Sequence, residues 1–407
     1  MTNRQAANEI IRRLQQHGFQ ALLAGGCVRD MLLERPAKDY DVATDARPAD
    51  VMRLFPRTLN VGAKFGVVIV LIRRRPVEVA TFRSEAGYED GRHPSDVRFT
   101  DAAEDASRRD FTINGMFYDP SQERVIDHVG GRADLRRRII RTVGNPEERF
   151  REDYLRMLRA VRFSTQLEFA IEPETYAAIG RNAVRIARIS GERIAIELEG
   201  ILIDPNRASG ASMLIETGLA GAILPGFAGE KAERAVTVLA QLRKKVDFPL
   251  ALAAFFVGCP TDFALEKSRI LKLSNKQTRH IKFLLSHRGR LLDADMSLAQ
   301  LKRLLAQPYF RDLYELERAI QRTAAAKEGL ASLSRLRRRV RDLHGIDVKP
   351  KPLLNGRDLM RLGAVPGPAL GQLAEELYVA QLEGDVQTRE QAEQWAQAWL
   401  ERHRSTE

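Results

Sequence analysis

Cysteine is nearly absent: Cys27 and Cys259 are the only two in 407 residues, and they lie far apart. That count supports neither a disulfide framework nor a cysteine-rich metal site, and it suits a reducing cytoplasm. The seven histidines lack metal-ligand spacing and there is no P-loop motif, which argues against a histidine-rich zinc enzyme and a P-loop kinase. No apolar run approaches the roughly 18–20 residues of a membrane span. The run VVIVLI at 67–72 has the length of a buried strand. The opening MTNRQAANEIIRRLQQ has the pattern of an amphipathic helix rather than of a signal peptide. Repeats, heptad arrays and low-complexity tracts are missing, as is a His-Asp phosphohydrolase pattern in the later half. Nothing in the pattern calls for a membrane or for an obligate protein partner.

What is present is ordinary in bulk and unusual in charge. Hydrophobic residues make up 44% and charged residues 29%, as in a globular protein, and the length allows two or three domains. The formal net charge is +11, which fits a polyanionic partner. Charge alone does not separate a nucleic acid from an acidic membrane face.

The fold expected is an α/β head followed by an all-α body and tail. Candidate strands are QALLAGG (20–26), DYDVAT (39–44), VVIVLIRR (67–74) and VEVATFR (77–83), with weaker ones at RVIDHV (124–129) and RIIRTVG (138–144). After Pro146 apolar residues recur at three- and four-residue spacing almost to the end. Leu370, Leu373 and Leu377 share one face of a closing helical subdomain. The domains expected are a catalytic head at 1–145, a helical neck at 146–225, a helical body at 226–345 and a helical tail at 346–407.

The strongest chemical signal is LLAGGCVRDMLLERPAKDYDVAT in the head. An apolar strand ends in Gly25-Gly26, and a helix follows with Arg29 in its first turns. Glycines there let backbone N–H groups approach a phosphate, although the same turn serves plain chain reversal. Asp39 and Asp41 are separated by one residue on a candidate strand, so alternation points both carboxylates to one face. Two such carboxylates repel unless a cation lies between them, and hard oxygen ligands suit Mg²⁺. Glu78 on a later strand is the candidate third carboxylate; a solvent-facing acid is its other reading.

A Gly-Gly turn, an arginine three residues on and then DxD resemble the DNA polymerase beta-like nucleotidyltransferase superfamily. RRDFTINGM (108–116), EDYLRMLRAVRF (152–163) and ISGERIAIELEGIL (189–202) narrow the resemblance to the bacterial and eukaryotic branch of tRNA nucleotidyltransferases and related poly(A) polymerases. The likeness is strong over roughly 20–225 and looser beyond, through LKLSNKQ (271–277) and the closing subdomain. It implies attack of an RNA 3′-hydroxyl on the α-phosphorus of a nucleoside triphosphate, with two Mg²⁺ ions held by Asp39 and Asp41 and, less firmly, Glu78. It implies nucleotide binding by Gly25, Gly26, Arg29, Arg108, Arg109, Asp110 and Asn114, and by Glu152, Asp153, Arg156, Arg159 and Arg162. The reaction expected is addition of CCA to the 3′ end of tRNA from CTP and ATP, the partners being nucleoside triphosphates and the tRNA end.

In this family the second acid and the arginine of EDYLRMLRAVRF act as an amino-acid template. Wound as one helix, Tyr154, Leu155, Leu158 and Val161 form an apolar face, with Glu152, Asp153, Arg156 and Arg159 opposite. Cytosine and adenine each present an amine donor beside a ring-nitrogen acceptor. A carboxylate only accepts and a guanidinium only donates, so Asp153 and Arg156 complement both bases, whereas U and G present the reverse. An amphipathic helix with surface ion pairs accounts for the same pattern without function.

The polar stretch RSEAGYEDGRHPSDVRFTD (83–101) is either a plain connection or, by resemblance, a flexible loop that helps the switch from C to A addition. Basic clusters at Arg132, Arg136, Arg137, Arg138 and Arg141, at RLRRRVR (335–341), and at Lys272, Lys276 and Arg279 are candidates for RNA phosphate contacts, with Arg136, Arg137, Lys272 and Lys276 foremost. By resemblance the run NVGAKFGVV (60–68) favours CCA addition over a poly(A) polymerase on the same scaffold, and an A-adding enzyme stays as an alternative. A non-catalytic RNA-binding protein is the alternative of another class, and the intact Asp39, Asp41, Asp153 and Arg156 oppose it.

Overall fold

A computed structural model describes residues 1–62, 66–88 and 94–404. The chain divides into two compact units, Met1–Val236 with Glu266–Leu273, and Thr237–Leu265 with Ser274–Glu407.

The first unit opens with the helix Asn3–Gln16, started by a capping box between Thr2 and Gln5, which buries Ala6, Ala7, Ile10, Ile11 and Leu14. Among the described residues nine strands follow in the head: β1 Ala21–Ala24, β2 Asp41–Thr44, β3 Thr58–Gly62, β4 Val67–Ile72, β5 Arg75–Thr81, β6 Arg83–Tyr88, β7 Pro94–Phe99, β8 Met116–Asp119 and β9 Arg124–Asp127. Seven form one mixed sheet in the order β3-β4-β5-β2-β1-β8-β9, and among the described residues β6 pairs only with β7. Within the sheet β2 and β5 run parallel, with Val42 beside Val79, while the other neighbours are antiparallel. Leu22, Ala24, Ala43, Phe82 and Phe117 form a core on one side with Ala102 and Ala106 from the helix Ala102–Ser107. Phe82 meets Phe117 edge to face, centroids 5.7 Å apart.

Several expected boundaries shift. The strand placed at 39–44 begins at Asp41, which leaves Asp39 in the segment before it. The runs VVIVLIRR and VEVATFR form one hairpin, whose two-residue turn holds Arg73 and Arg74 at φ 47° and 69°. Such turns favour Asn-Gly, so an Arg-Arg turn carries no local signature. The stretch 83–101 is an antiparallel ribbon, β6 with β7, rather than an unstructured connection; its tip at 89–93 lies outside the described residues. RIIRTVG contributes only Ile139–Ile140, paired in parallel with Ala170–Ile171.

From Pro146 onward the chain is helical apart from that short pairing. Helix Pro146–Glu152 stops at Asp153, whose backbone is extended (φ −152°, ψ 107°), and helix Leu155–Leu167 starts anew. The single helix expected across EDYLRMLRAVRF is therefore two helices with Asp153 at the break. Helix Gly191–Leu202 and helix Arg207–Glu216 pack against Leu155–Leu167.

Among the described residues the elements of the second unit are all helices. Its terminal part encloses a core of Leu354, Leu359, Leu373, Leu377, Val386, Ala396 and Trp399, with Leu370 packed against it. Glu383 accepts from the backbone N–H groups of Leu298 and Ala299, tying that part to the helix Leu298–Leu305. His280 is buried against Tyr309 between Asp247 and Asp312. No helix among the described residues is long and apolar enough to cross a membrane.

The helix Gly131–Arg137 is latched to the turn Thr112–Asn114. Thr112 Oγ1 donates to Asp134 at 2.8 Å, and a Cβ at Gly131 would lie 2.3 Å from the Thr112 carbonyl oxygen and 2.8 Å from Met116 Cγ. Gly131→Ala therefore forces this turn to move. The expected cost is about 1–3 kcal/mol, read as a drop of several degrees in Tm by thermal unfolding; an unchanged Tm would show that the approach is not tight.

Candidate active site

Strand β1 ends beside the start of β2, with Ala24 opposite Asp41. Gly25 then turns at φ 75°, where a side chain is strained, and its missing Cβ leaves room for Arg109 Nη1 at 3.0 Å. Around this turn opens a cleft of about 510 Å³, within the range that takes a nucleotide-sized ligand. Its walls bring together Gly25, Gly26, Arg29, Asp41, Glu78, Arg108, Arg109, Asp110, Asn114, Asp153, Arg156 and Arg159, residues spread over 135 positions of sequence. Asp39, Glu152 and Arg162 are not among the wall residues.

One wall is acidic. Because Val42 pairs with Val79, the preceding Asp41 and Glu78 stand side by side. Burial, then the charges of Glu78 and Asp39, push the Asp41 carboxyl up to about 6, against the pull of Arg109. Solvent still reaches both carboxylates from the cleft. Three mutually repelling acids with hard oxygen donors fit a divalent cation of the Mg²⁺ type.

The other wall is basic and already ordered. Arg29 is 8% exposed; its Nη1 donates to Asn114 Oδ1 at 2.7 Å and its Nε to Asp30 at 2.9 Å. Asn114 Nδ2 donates to Asp110 Oδ1 at 3.2 Å, and Arg159 pairs with Asp110 Oδ2 at 2.7 Å. Burial pushes Asp110 up, but the charge of Arg159, bonds from Arg159 and Asn114, and the charge of Arg156 outweigh it and bring the carboxyl down to about 2. Arg29 and Arg159 both lie 5.2 Å from the ring centre of Phe163. Arg162 pairs instead with the buried Glu197, Nε to Oε2 at 3.2 Å.

The Arg156 N–H donates to the Asp153 carbonyl oxygen at 3.0 Å, but their side chains bond to other residues. Asp153 Oδ1 accepts from the Leu155 N–H at 3.0 Å, and Oδ2 pairs with Arg193 at 2.6 Å. Arg156 Nη1 pairs with Glu152 at 2.5 Å and donates to the Arg149 carbonyl oxygen at 3.1 Å. Glu152 thus bonds to a wall residue without lining the cleft itself.

Sequence reasoning missed Arg83, Arg193 and Phe163 as wall residues, and Asp105 beneath Arg108 and Arg109. Asp105 was detectable as an acid three and four residues ahead of two arginines. Arg83 and Arg193 lie in stretches that the sequence singled out, but only folding brings them to the cleft. The basic clusters stay outside it. Arg136 and Arg137 are exposed in the last turn of Gly131–Arg137, and Arg141 is paired with Asp134 and Glu172. Lys272, Lys276 and Arg279 do not share one helix: Lys272 lies in the turn before Asn275–Ser286, in the other compact unit, and pairs with Glu192.

A mixed sheet with a Gly-Gly turn, an acidic edge and an arginine wall, followed by helices, defines a nucleotidyltransferase of the DNA polymerase beta-like fold. The sequence profile of the poly A polymerase head domain matches residues 21–141, and that described as a probable RNA and SrmB-binding site of polymerase A matches 168–230. The chain is 38% identical to a CCA-adding enzyme of Geobacillus stearothermophilus, over 99% of this chain and 98% of that one. It is 34% identical to one of Lactobacillus johnsonii, over 95% of each. The crystal structure of the Bacillus stearothermophilus CCA-adding enzyme in complex with CTP superposes with a TM-score of 0.82 at 35% identity, covering 100% of this chain and 98% of that one. This chain belongs to the family of CCA-adding enzymes.

In the cation-free protein Asp41 takes up a proton as the pH falls through about 6. A divalent cation must displace that proton, so its affinity is full above this pH and declines below it. Mn²⁺ binding followed by calorimetry is expected to be about tenfold weaker near pH 5 than near pH 7.5; equal affinities would show that Asp41 is ionised throughout.

Proposed function

We propose that the chain adds CCA to the 3′ end of tRNA from CTP and ATP without a nucleic-acid template. The observation that carries this reading is the convergence, in one nucleotide-sized cleft, of the Gly25-Gly26 turn, the acidic edge, the arginine wall and the Asp153–Arg156 segment. In the reaction a bond forms between the RNA 3′-oxygen and the α-phosphorus, the bond to the bridging oxygen breaks, and pyrophosphate leaves. Asp39, Asp41 and Glu78 are the residues to hold Mg²⁺, which when bound lowers the pKa of the attacking hydroxyl and stabilises the leaving oxygen. Seven wall arginines against four wall carboxylates, among the described residues, give the cleft the sign that a triphosphate requires.

Arg108 and Arg109 face the phosphates, and Asp110 with Asn114 takes the ribose. Gly25 and Gly26 let the backbone come close, and Arg29 steadies Asn114. Base choice falls to Asp153 and Arg156. The bonds from Leu155 and Arg193 hold the Asp153 carboxylate as an acceptor, and each oxygen keeps a further lone pair for a base amine. The bonds of Arg156 to Glu152 and to the carbonyl oxygens of Arg149 and Arg108 set its guanidinium plane, which offers donors to the ring nitrogen. Arg159 anchors Asp110 from the helical side, with Arg162 behind it through Glu197.

The segments 1–145, 146–225, 226–345 and 346–407 take the roles of catalysis, nucleotide recognition, RNA binding and closure in this reading. The exposed Arg136, Arg137, Lys272 and Lys276, and the helix Lys327–Asp342 with exposed Arg335, Arg337, Arg338 and Arg341, supply tRNA phosphate contacts. The two buried, unbridged cysteines fit a cytoplasmic setting.

The test is extension of a tRNA transcript ending before its CCA, with each nucleotide alone and with CTP and ATP together. CTP alone is expected to add two residues and ATP to complete the end; extension by ATP alone, or of unstructured RNA equally well, would overturn the reading. Asp39→Ala and Asp41→Ala are each expected to abolish addition while tRNA affinity, measured by filter binding, stays within about fourfold. Near wild-type turnover would remove that aspartate from catalysis.

Arg156→Ala and Asp153→Ala keep the acidic edge and the phosphate arginines. Both are expected to retain addition but to lose discrimination against UTP by about 1–3 kcal/mol, read as the kcat/KM ratio of CTP over UTP. An untouched ratio in two active variants would refute the template role.

A further inference from the structure

Beneath the basic wall lies a carboxylate that touches no open part of the cleft. Asp105, 1% exposed, sits in the helix Ala102–Ser107, which runs directly into Arg108 and Arg109. Its Oδ1 accepts from Arg108 Nη2 at 2.6 Å and Nε at 3.0 Å. Its Oδ2 accepts from Arg109 Nη2 at 3.0 Å and Nε at 3.2 Å. Each guanidinium is thus held along one edge. Arg109 is fixed further by Nη1 donating to the Asn114 carbonyl oxygen at 3.2 Å and by the Phe117 ring, 4.9 Å from its centre.

The same pair reaches the ribbon. The backbone N–H of Arg83, first residue of β6, donates to Asp105 Oδ1 at 3.3 Å, and the carbonyl oxygen of Arg83 accepts from Arg108 Nε at 2.9 Å. Both backbone groups of Arg83 are therefore bonded to the Asp105–Arg108 pair. The Arg108 guanidinium and the base of the β6–β7 ribbon are thus joined by a direct hydrogen bond.

Free arginine side chains sample many rotamers, and ordering two of them on ligand binding weakens the result. A buried carboxylate shared between both orders them beforehand, and its charge cancels part of the positive potential they supply. The two effects have opposite consequences for a ligand. Loss of the charge leaves phosphate attraction intact or stronger, whereas loss of the geometry misplaces donors aimed at the reacting phosphate.

We propose that Asp105 is a positioning residue for nucleotidyl transfer, which fixes Arg108 and Arg109 as one donor array for the triphosphate and couples that array to the β6–β7 ribbon through Arg83. The proposal rests on the reading of Arg108 and Arg109 as triphosphate ligands. Asp105 itself touches neither substrate nor reacting atoms.

The experiment compares full-length wild type with Asp105→Asn in steady-state CTP addition to tRNA, together with amide hydrogen exchange over residues 83–88. The expected result is a kcat lower by about 10- to 100-fold with KM for CTP within about threefold, because geometry in the transition state is lost while phosphate attraction persists. In the wild type CTP is expected to slow exchange over 83–88, and in Asp105→Asn that protection is expected to vanish. A kcat within about twofold of wild type, or protection by CTP that is absent from the wild type or retained in the variant, overturns the proposal. If circular dichroism shows Asp105→Asn unfolded, Asp105→Glu keeps the charge but moves the carboxylate by one methylene, and a kcat within about twofold of wild type in that variant is equally fatal. Failure of the wild type to extend tRNA with CTP overturns the functional reading instead, so the two failures are distinguishable.

Discussion

The ion pair between Asp110 and Arg159 is the interaction on which the site depends. Asp110 belongs to the loop before β8 in the head, and Arg159 to the helix Leu155–Leu167, and they meet at 2.7 Å largely away from water. Removing one partner of such a partly buried pair leaves the other charge short of its compensation. The pair does more than join two elements. Through Asn114 it orders Arg29, and through the stacking of Arg29 and Arg159 on Phe163 it sets where the basic wall stands relative to β1. Together with the Arg149 bond to the Ser107 carbonyl oxygen and the edge-to-face contact of Phe111 with Phe163, it fixes the helical arginines against the head.

The cleft sorts identical groups by surroundings. Two aspartates on facing walls are displaced in opposite directions, Asp41 to about 6 by burial and neighbouring acids, Asp110 to about 2 by guanidinium partners. A carboxylate whose charge is resisted wants a cation from outside. A carboxylate whose charge is satisfied is part of the frame. The same division runs through the arginines. Arg162 is committed to Glu197 behind the wall, whereas Arg108 and Arg109 are held from beneath by Asp105 and line the cleft. Preorganisation is what phosphoryl chemistry asks of a protein, since little covalent work falls to side chains.

Much of this was legible from the chain. A buried strand running into Gly-Gly, two aspartates one residue apart, and the change of period after Pro146 each follow from local composition, and they located the head, its acidic edge and the helical remainder. Other features were not legible, for definite reasons. The Arg73–Arg74 turn adopts positive φ because antiparallel pairing of β4 with β5 continues to Ile72 and Arg75, a long-range demand that two arginines do not announce. The break at Asp153 interrupts a sequence whose apolar period looks continuous. It is held by the Arg193 ion pair and by the Asp153 side chain bonded to Leu155, in place of one helical turn. The cluster of Lys272, Lys276 and Arg279 looked helical by spacing, but Lys272 has φ 52° in the turn that ends the preceding helix.

The sequence by itself therefore determined which side chains are present for chemistry and which local elements carry them, because strand alternation, glycine turns and helical period are short-range properties of covalent geometry. Only the tertiary structure decided which of those side chains meet. Glu78 joins Asp41 because β5 pairs in parallel with β2, Arg193 holds Asp153 because Gly191–Leu202 packs against Leu155–Leu167, and Arg83 is bound to Asp105 because the ribbon starts where the sheet core ends. Partners 20 to 50 residues apart are set by hydrophobic packing of whole elements, and a charge pattern read along the chain contains no record of that packing.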